Sequence, residues 1–264
     1  MKKVYQFMLV AAATLFIFAS CSDDDYYWDD RDDYYFDVEQ ALDDYFYKYG
    51  AFGTDDQTTA NWFSGNYPDA YQSDWNDFVN GIAQERDANK RAMARILTTG
   101  AWNGPMQMNW RDQGNSQYQQ ASCTAEYDFD LAKSNAAYGR GKETRTDYSD
   151  GSADTQTAFN WEIDDYGNII LDFDSDEGQG KGVEMVVYYA DLNLDDDQDL
   201  FAGTMTSNTE GLDEYDDFEF HRASYAKAAL GAQKQLSGLS FSGKGTPKNA
   251  LTAVKRSVKT NSHR

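Results

Sequence analysis

The chain has 264 residues, with 45 Asp or Glu against 23 Lys or Arg and a formal charge of −22. That balance excludes a general nucleic-acid binder, which needs a basic face for phosphate, and opposes broad adhesion to anionic headgroups. The charge is uneven: from Arg222 to Arg264 there are nine Lys or Arg and no Asp or Glu, which marks residues 223–264 as a separate basic tail.

Residues 1–20 open with Lys2 and Lys3 and continue in an almost unbroken apolar run from Val4 to Ala19. The run is short for a spanning helix and has the layout of a secretory signal peptide. The small pair Ala19-Ser20 before Cys21 resembles the bacterial lipobox, although Phe18 is bulkier than the aliphatic residue usual there. The resemblance implies a lipoprotein whose Cys21 becomes the N-terminus and carries acyl chains of the palmitate type. Several such chains anchor a protein firmly where one holds it only reversibly. The alternative is an ordinary cleaved signal with a free thiol. With Cys21 acylated, Cys123 is the second and last cysteine, and the fold must be held by packing rather than by an internal disulfide.

Ser22, Asp23, Asp24 and Asp25 follow at once. They resemble the export signal of surface lipoproteins in the Bacteroidetes group, which implies attachment to the cell outer membrane with the body facing the exterior. The competing reading is that these aspartates only keep a tether soluble. Residues 21–72 read as an acidic Tyr/Asp-rich tether, within which Tyr35, Val38, Leu42, Tyr45 and Tyr49 recur at helical spacing. The spacing predicts a short helix over 33–49 stopped by Gly50, and 50–72 reads as loop.

A second helix is predicted over 73–97. Ser73 is its candidate cap, Asp74 and Asp77 lie in the first turn, and Lys90, Arg91 and Arg95 lie toward the other end. Trp75, Phe78, Val79 and Ile82 make an apolar face, expected to pack on the domain that follows, and Gly81 weakens the middle.

From Gly100 the pattern changes to period-two alternation. Cys123, Ala125, Tyr127 and Phe129 share one strand face, as do Phe159, Trp161 and Ile163, then Ile169, Leu171 and Phe173, then Val183, Met185, Val187 and Tyr189. About eight strands follow, near 100–110, 117–130, 136–148, 156–163, 168–174, 182–191, 199–206 and 214–222. The fold class is mainly β. The predicted architecture is an eight-stranded antiparallel up-and-down barrel over 98–222, preceded by one or two α-helices. A β-sandwich is the alternative.

The two ends of this region carry a resemblance. It opens with Gly100-Ala101-Trp102 and closes with Phe218-Glu219-Phe220-His221-Arg222. The lipocalin-like (calycin-type) families have a Gly-x-Trp at the start and an Arg at the end of the barrel. The stretches TGAW, AFNWEI, VVYYADLNLDDDQDLFAG and FEFHR also resemble lipocalin-like domains of Bacteroidetes lipoproteins. The resemblance covers about 100–222, less than half the chain. It implies that Gly100, Trp102 and Arg222 brace the barrel floor, the guanidinium lying over the indole. The other conserved stretches of true lipocalins have no counterpart here, so retinoid or haem binding is not carried over.

Catalytic chemistry finds little support. His221 lies at a strand end, His263 close to the C-terminus, and Cys123 alternates with apolar neighbours as a packing residue does. No catalytic residue and no cofactor are expected. Asp191, Asn193, Asp195 and Asp197 place oxygens at every second position, a weak calcium candidate. The EF-hand pattern fails there, with Asp196 at position six and Ala202 at position twelve. Tyr127, Phe129, Phe159 and Trp161 are expected to point inward. They either line a cup for a glycan or apolar ligand or plug the barrel outright. The tail contains 223–236, of helical composition, and 247–259, a basic amphipathic stretch; a solvated tail is the simplest reading. The expected whole is a non-catalytic surface lipoprotein. It is held by acyl chains on Cys21 and binds a small molecule or an envelope protein; its alternative is a structural or accessory component of an envelope assembly.

Overall fold

The computed structural model describes residues 35–111, 116–174, 182–223 and 239–243. Phe36–Arg264 forms one unit and Met1–Tyr35 another, and every described helix and strand belongs to the first. Cys21, the Ser22–Asp25 segment and the tail stretches 224–238 and 244–264 lie outside the described residues.

Three helices come first. α1 (Val38–Tyr49) begins five residues later than the periodicity predicts, because Asp37 caps it, its carboxylate accepting from the N–H groups of Glu39 and Gln40 at 3.0 and 3.1 Å. Tyr35, which fits the apolar period, is 84 % exposed ahead of the cap. Gly50 ends the helix at φ 84°.

α2 (Asp56–Asn66) falls where a loop was expected. Asp55 caps it by accepting from Thr58 N–H at 2.9 Å. Eleven residues that include Thr, Gly and Asn do not hold a helix alone, so α2 depends on what it touches. Trp62 stacks on Phe78 with centroids 5.5 Å apart, Phe63 lies 4.9 Å from Phe78, and the Thr59 and Tyr45 hydroxyls are 2.7 Å apart. The loop expected over 50–72 is therefore corrected at α2, which packs as helix, whereas α1 falls within the short helix expected inside the tether.

α3 (Gln72–Leu97) starts one residue before the predicted cap. Ser73 lies inside the helix, and the Asp74 carboxylate accepts from Tyr71 N–H at 2.8 Å. Its first half packs on α1 and α2, not on the barrel. Phe78 and Ile82 join Ala41, Leu42, Tyr45, Phe46, Trp62 and Phe63 in a core of their own, while Val79 remains 38 % exposed. Gly81 marks the closest approach of α1, since a Cβ there would sit 2.5 Å from a Leu42 methyl. In the second half Met93, Ala94, Ile96 and Leu97 turn to the barrel core.

The strands are β1 (Trp102–Arg111), β2 (Gln119–Leu131), β3 (Tyr138–Thr146), β4 (Thr155–Ile163), β5 (Ile169–Phe173), β6 (Glu184–Val187), β7 (Asn193–Asp195), β8 (Leu200–Ser207), β9 (Asp213–Arg222) and β10 (Ser240–Ser242). β1 to β6 form a meander, β6 pairs with β8, β8 with β9, and β9 closes on β1, every pair antiparallel. Eight staves thus form a closed barrel of lipocalin-like architecture, and the sandwich alternative is set aside.

Two details depart from the predicted strands. The expected strand 182–191 is a broken stave: β6 pairs with the end of β8, a 3-10 turn over Tyr189–Asp191 intervenes, and β7 pairs with the start of β8. The tail is also not wholly solvated. β10 adds to the free side of β7, and Phe241 is 3 % exposed with its ring 6.2 Å from Phe52.

The helices sit at one end of the barrel. Trp102 Nε1 donates to the Leu97 carbonyl at 2.9 Å, and Lys90 Nζ lies 2.6 Å from Asp165 in the β4–β5 turn. At the other end β1 and β3 finish and β2, β4 and β9 begin, and there charged side chains turn into the bore.

Candidate functional site: a polar cluster inside the barrel

The helix-capped end is closed tightly. Gly100, at φ 153°, turns the chain from α3 into β1. Trp102 pairs in register with Arg222, whose guanidinium carbon lies 4.8 Å from the indole centroid. The same guanidinium holds Asp196 at 2.7 Å and Asp199 at 3.2 Å, with 6 % of the Arg222 side chain exposed. These contacts brace the fold.

Above this floor the inward rings fill the bore. Tyr127, Phe129, Phe159 and Trp161 are all at most 2 % exposed. Phe129 lies 6.2, 5.4 and 5.6 Å from the rings of Tyr127, Phe159 and Trp161. β3 makes room for them: a Cβ on Gly141 would sit 2.3 Å from the Phe159 ring. These four inward rings contact one another and fill this level, the plugged of the two arrangements open to them.

Toward the other end the interior becomes polar, and sequence reasoning missed this change. On β3 the inward positions after Gly141 are Glu143 and Arg145; on β9 they are Glu214 and Asp216, four and two residues before Phe218. Arg145 Nε donates to Glu143 Oε1 at 2.7 Å, and the Tyr127 hydroxyl donates to the same carboxylate. The Arg145 guanidinium also reaches Met108 Sδ at 2.9 Å and stands 3.6 Å from Asp216 Oδ2. The Tyr127 hydroxyl lies 3.8 Å from Met205 Sδ. Met108 and Met205 flank Asp216 as its register partners on β1 and β8.

Asp216 is the anomaly. It is 0 % exposed, and neither carboxyl oxygen has a hydrogen-bond partner among the described residues. A buried polar group without such a partner costs on the order of 1–3 kcal/mol. Burial pushes its pKa up to about 8. Arg145 acts in the opposite sense, and Glu214 and Glu143 reinforce the rise. Burial wins because Arg145 is already engaged by Glu143. The Glu214 carboxyl is raised too, chiefly by burial.

On Arg145 burial opposes the charge, but Glu143, Tyr127 and Asp216 overcome it and hold the guanidinium protonated. Burial, then Glu143, pushes the Tyr127 phenol far up. The buried Cys123 thiol is raised to about 11, again chiefly by burial, which suits packing rather than nucleophilic attack.

Parity contained a signal for this cluster. Phe218 and Phe220 face inward, so Asp216 and Glu214 must do so as well. The step from Gly141 to Glu143 and Arg145 is the same inference on β3.

The calcium candidate does not assemble. Asn193 and Asp195 belong to β7, and both Asp195 oxygens accept from Gln198, at 2.9 Å each. Asp196 is taken by Arg222. Among the described residues no group of three or more His, Cys, Asp or Glu is placed to share an ion. A concavity of about 530 Å³ on the outer face of β2 to β6 is lined by Tyr138, Arg140, Asn160, Glu162 and Asp172, among others. The inward Trp161 also borders it, but none of its lining residues belongs to the polar cluster of Glu143, Arg145, Glu214 and Asp216.

Comparison with protein-family models, curated proteins and solved structures finds no match for the chain. Function is therefore read from the barrel and its polar cluster.

Proposed function

We propose that the chain is a non-catalytic lipoprotein of the outer membrane. Acyl chains on Cys21 hold it facing the exterior, and its barrel binds a small molecule at the end opposite the Trp102–Arg222 floor. The anchor and the address rest on the leader and on the Cys21–Asp25 stretch. Replacing Cys21 with Ser should release the protein from the membrane fraction. Replacing Asp23, Asp24 and Asp25 with Ala should protect it from external protease on intact cells, and unchanged digestion counts against the surface address.

The single observation that carries ligand binding is Asp216, fully buried and without a hydrogen-bond partner among the described residues, in a cluster facing the barrel end away from the helices. A barrel selected only for stability gains from an apolar residue there. A site for a polar ligand group keeps unmet hydrogen-bonding capacity. Tryptophan fluorescence titration of the full chain tests this with a panel of glycans, fatty acids and small organic ions. A saturable response supports the proposal, and a silent panel overturns it. Silence would favour the second reading, a structural or accessory component of an envelope assembly, for which the plugged lower barrel speaks.

A further inference from the structure

This inference rests on the small-ligand reading and names the ligand's chemistry. Three inward carboxyl side chains, Glu143, Glu214 and Asp216, share the field of one guanidinium, Arg145. Arg145 spends its Nε on Glu143, and Tyr127 donates to the same carboxylate. Asp216 is left facing Arg145 at 3.6 Å, with no hydrogen bond among the described residues. Among the described residues the cluster thus sets one guanidinium against three carboxyls and gives Asp216 no hydrogen-bond donor.

The walls beside Asp216 are soft. Met108 and Met205 stand next to it on the neighbouring strands, and methionine repacks around irregular shapes more readily than any other apolar side chain. Solvent is close: 16 % of the Arg145 side chain is exposed, and Met108 and Cys123 are 6 % and 5 % exposed. A slender ligand entering past Arg145 therefore reaches Asp216 by displacing thioethers.

We infer that the barrel takes an organic cation, a primary ammonium on a narrow apolar body, with the ammonium donating to Asp216 and the body lying between Met108 and Met205. Binding is coupled to proton loss from Asp216. The charged and titratable groups acting on it are Arg145 and Glu143 on β3, Glu214 and Asp217 on β9, with Tyr127 and Cys123 nearby on β2. An alkylamine stays protonated past about pH 9. Affinity therefore rises about tenfold per pH unit while Asp216 must give up its proton, and levels off above its pKa.

The test is isothermal titration of the full chain and of Asp216→Asn with octylammonium, octanoate and octanol, at about pH 6.5 and pH 8.5. The expected result is octylammonium binding that strengthens at least tenfold at the higher pH and weakens at least tenfold in the variant. Octanol should bind weakly and equally to both proteins. Thermal melting of the variant shows whether it is folded. Octanoate tighter than octylammonium, or octylammonium binding indifferent to the substitution, overturns the cation assignment while leaving the small-ligand reading in place. No heat from any of the three also overturns the cation assignment, while the small-ligand reading falls only if the wider fluorescence panel with glycans is silent too.

Discussion

Replacing Asp216 with Asn separates the two ways a buried carboxyl can behave. In the folded chain burial lifts the Asp216 pKa from the ordinary 3.8 to about 8. Below about pH 4 the carboxyl is protonated in both folded and unfolded chains, and it contributes no pH dependence. Between about pH 4 and 8 the unfolded chain has released the proton and the native chain has kept it. Stability therefore falls as pH rises, by about 1.4 kcal/mol per unit. Across the whole window the loss is on the order of 5 kcal/mol. Asparagine is isosteric and never ionises, so the variant should lack this slope. At about pH 5 it should lie within about 1 kcal/mol of the parent, and by about pH 8.5 it should be more stable by several kcal/mol. Urea unfolding of both proteins at pH 5, 7 and 8.5 measures this directly. If the variant is less stable by the same amount at every pH, Asp216 is an ionised partner of Arg145, and the case for an orphan carboxyl fails.

Other outcomes follow from the same contacts. Arg222→Ala removes a cation over Trp102 and the guanidinium that Asp196 and Asp199 share, so it should cost about 3–5 kcal/mol; Arg222→Lys, without the planar fork, should recover only part of that. Trp62→Ala opens the aromatic helical core and should cost about 3–5 kcal/mol, with the α2 amides losing protection first in hydrogen exchange. Phe241→Ala should lower the melting temperature although it lies in the basic tail, whereas removal of a merely solvated tail residue would leave it unchanged. The Cys123 thiol, raised to about 11, should react with a disulfide reagent at pH 8 only after unfolding; rapid reaction in the native state would place it outside the core.

The barrel was legible because period-two alternation is written into each strand. Phe159, Trp161 and Ile163, or Ile169, Leu171 and Phe173, can bury one face only as strands. The helical core was half legible. α1 and α3 carry enough apolar periodicity to be read alone, but α2 has little beyond Trp62 and Phe63 and exists through rings supplied by the other two helices. The break between β6 and β7 was hidden, since 182–191 reads as one strand in sequence, whereas Tyr189–Asp191 winds into a 3-10 turn and β7 follows at Asn193–Asp195. β10 was hidden because a three-residue strand with one phenylalanine has no periodicity. The floor residues Trp102 and Arg222 were reached through resemblance. The polar cluster could have been reached through parity alone, had the inward direction of Phe218 and Phe220 been extended back to Asp216.

The central claim is that a small molecule enters the barrel beside Asp216. Methyl resonances of the methionines report on it most directly, because Met108 and Met205 flank that carboxyl while Met93 lies in α3, packed at the opposite end. Titration of the methyl-labelled full chain with octylammonium at about pH 8.5 should shift the Met108 and Met205 signals saturably and leave Met93 in place. Shifts that never saturate, or that spare Met108 and Met205, would contradict a binding site inside the barrel.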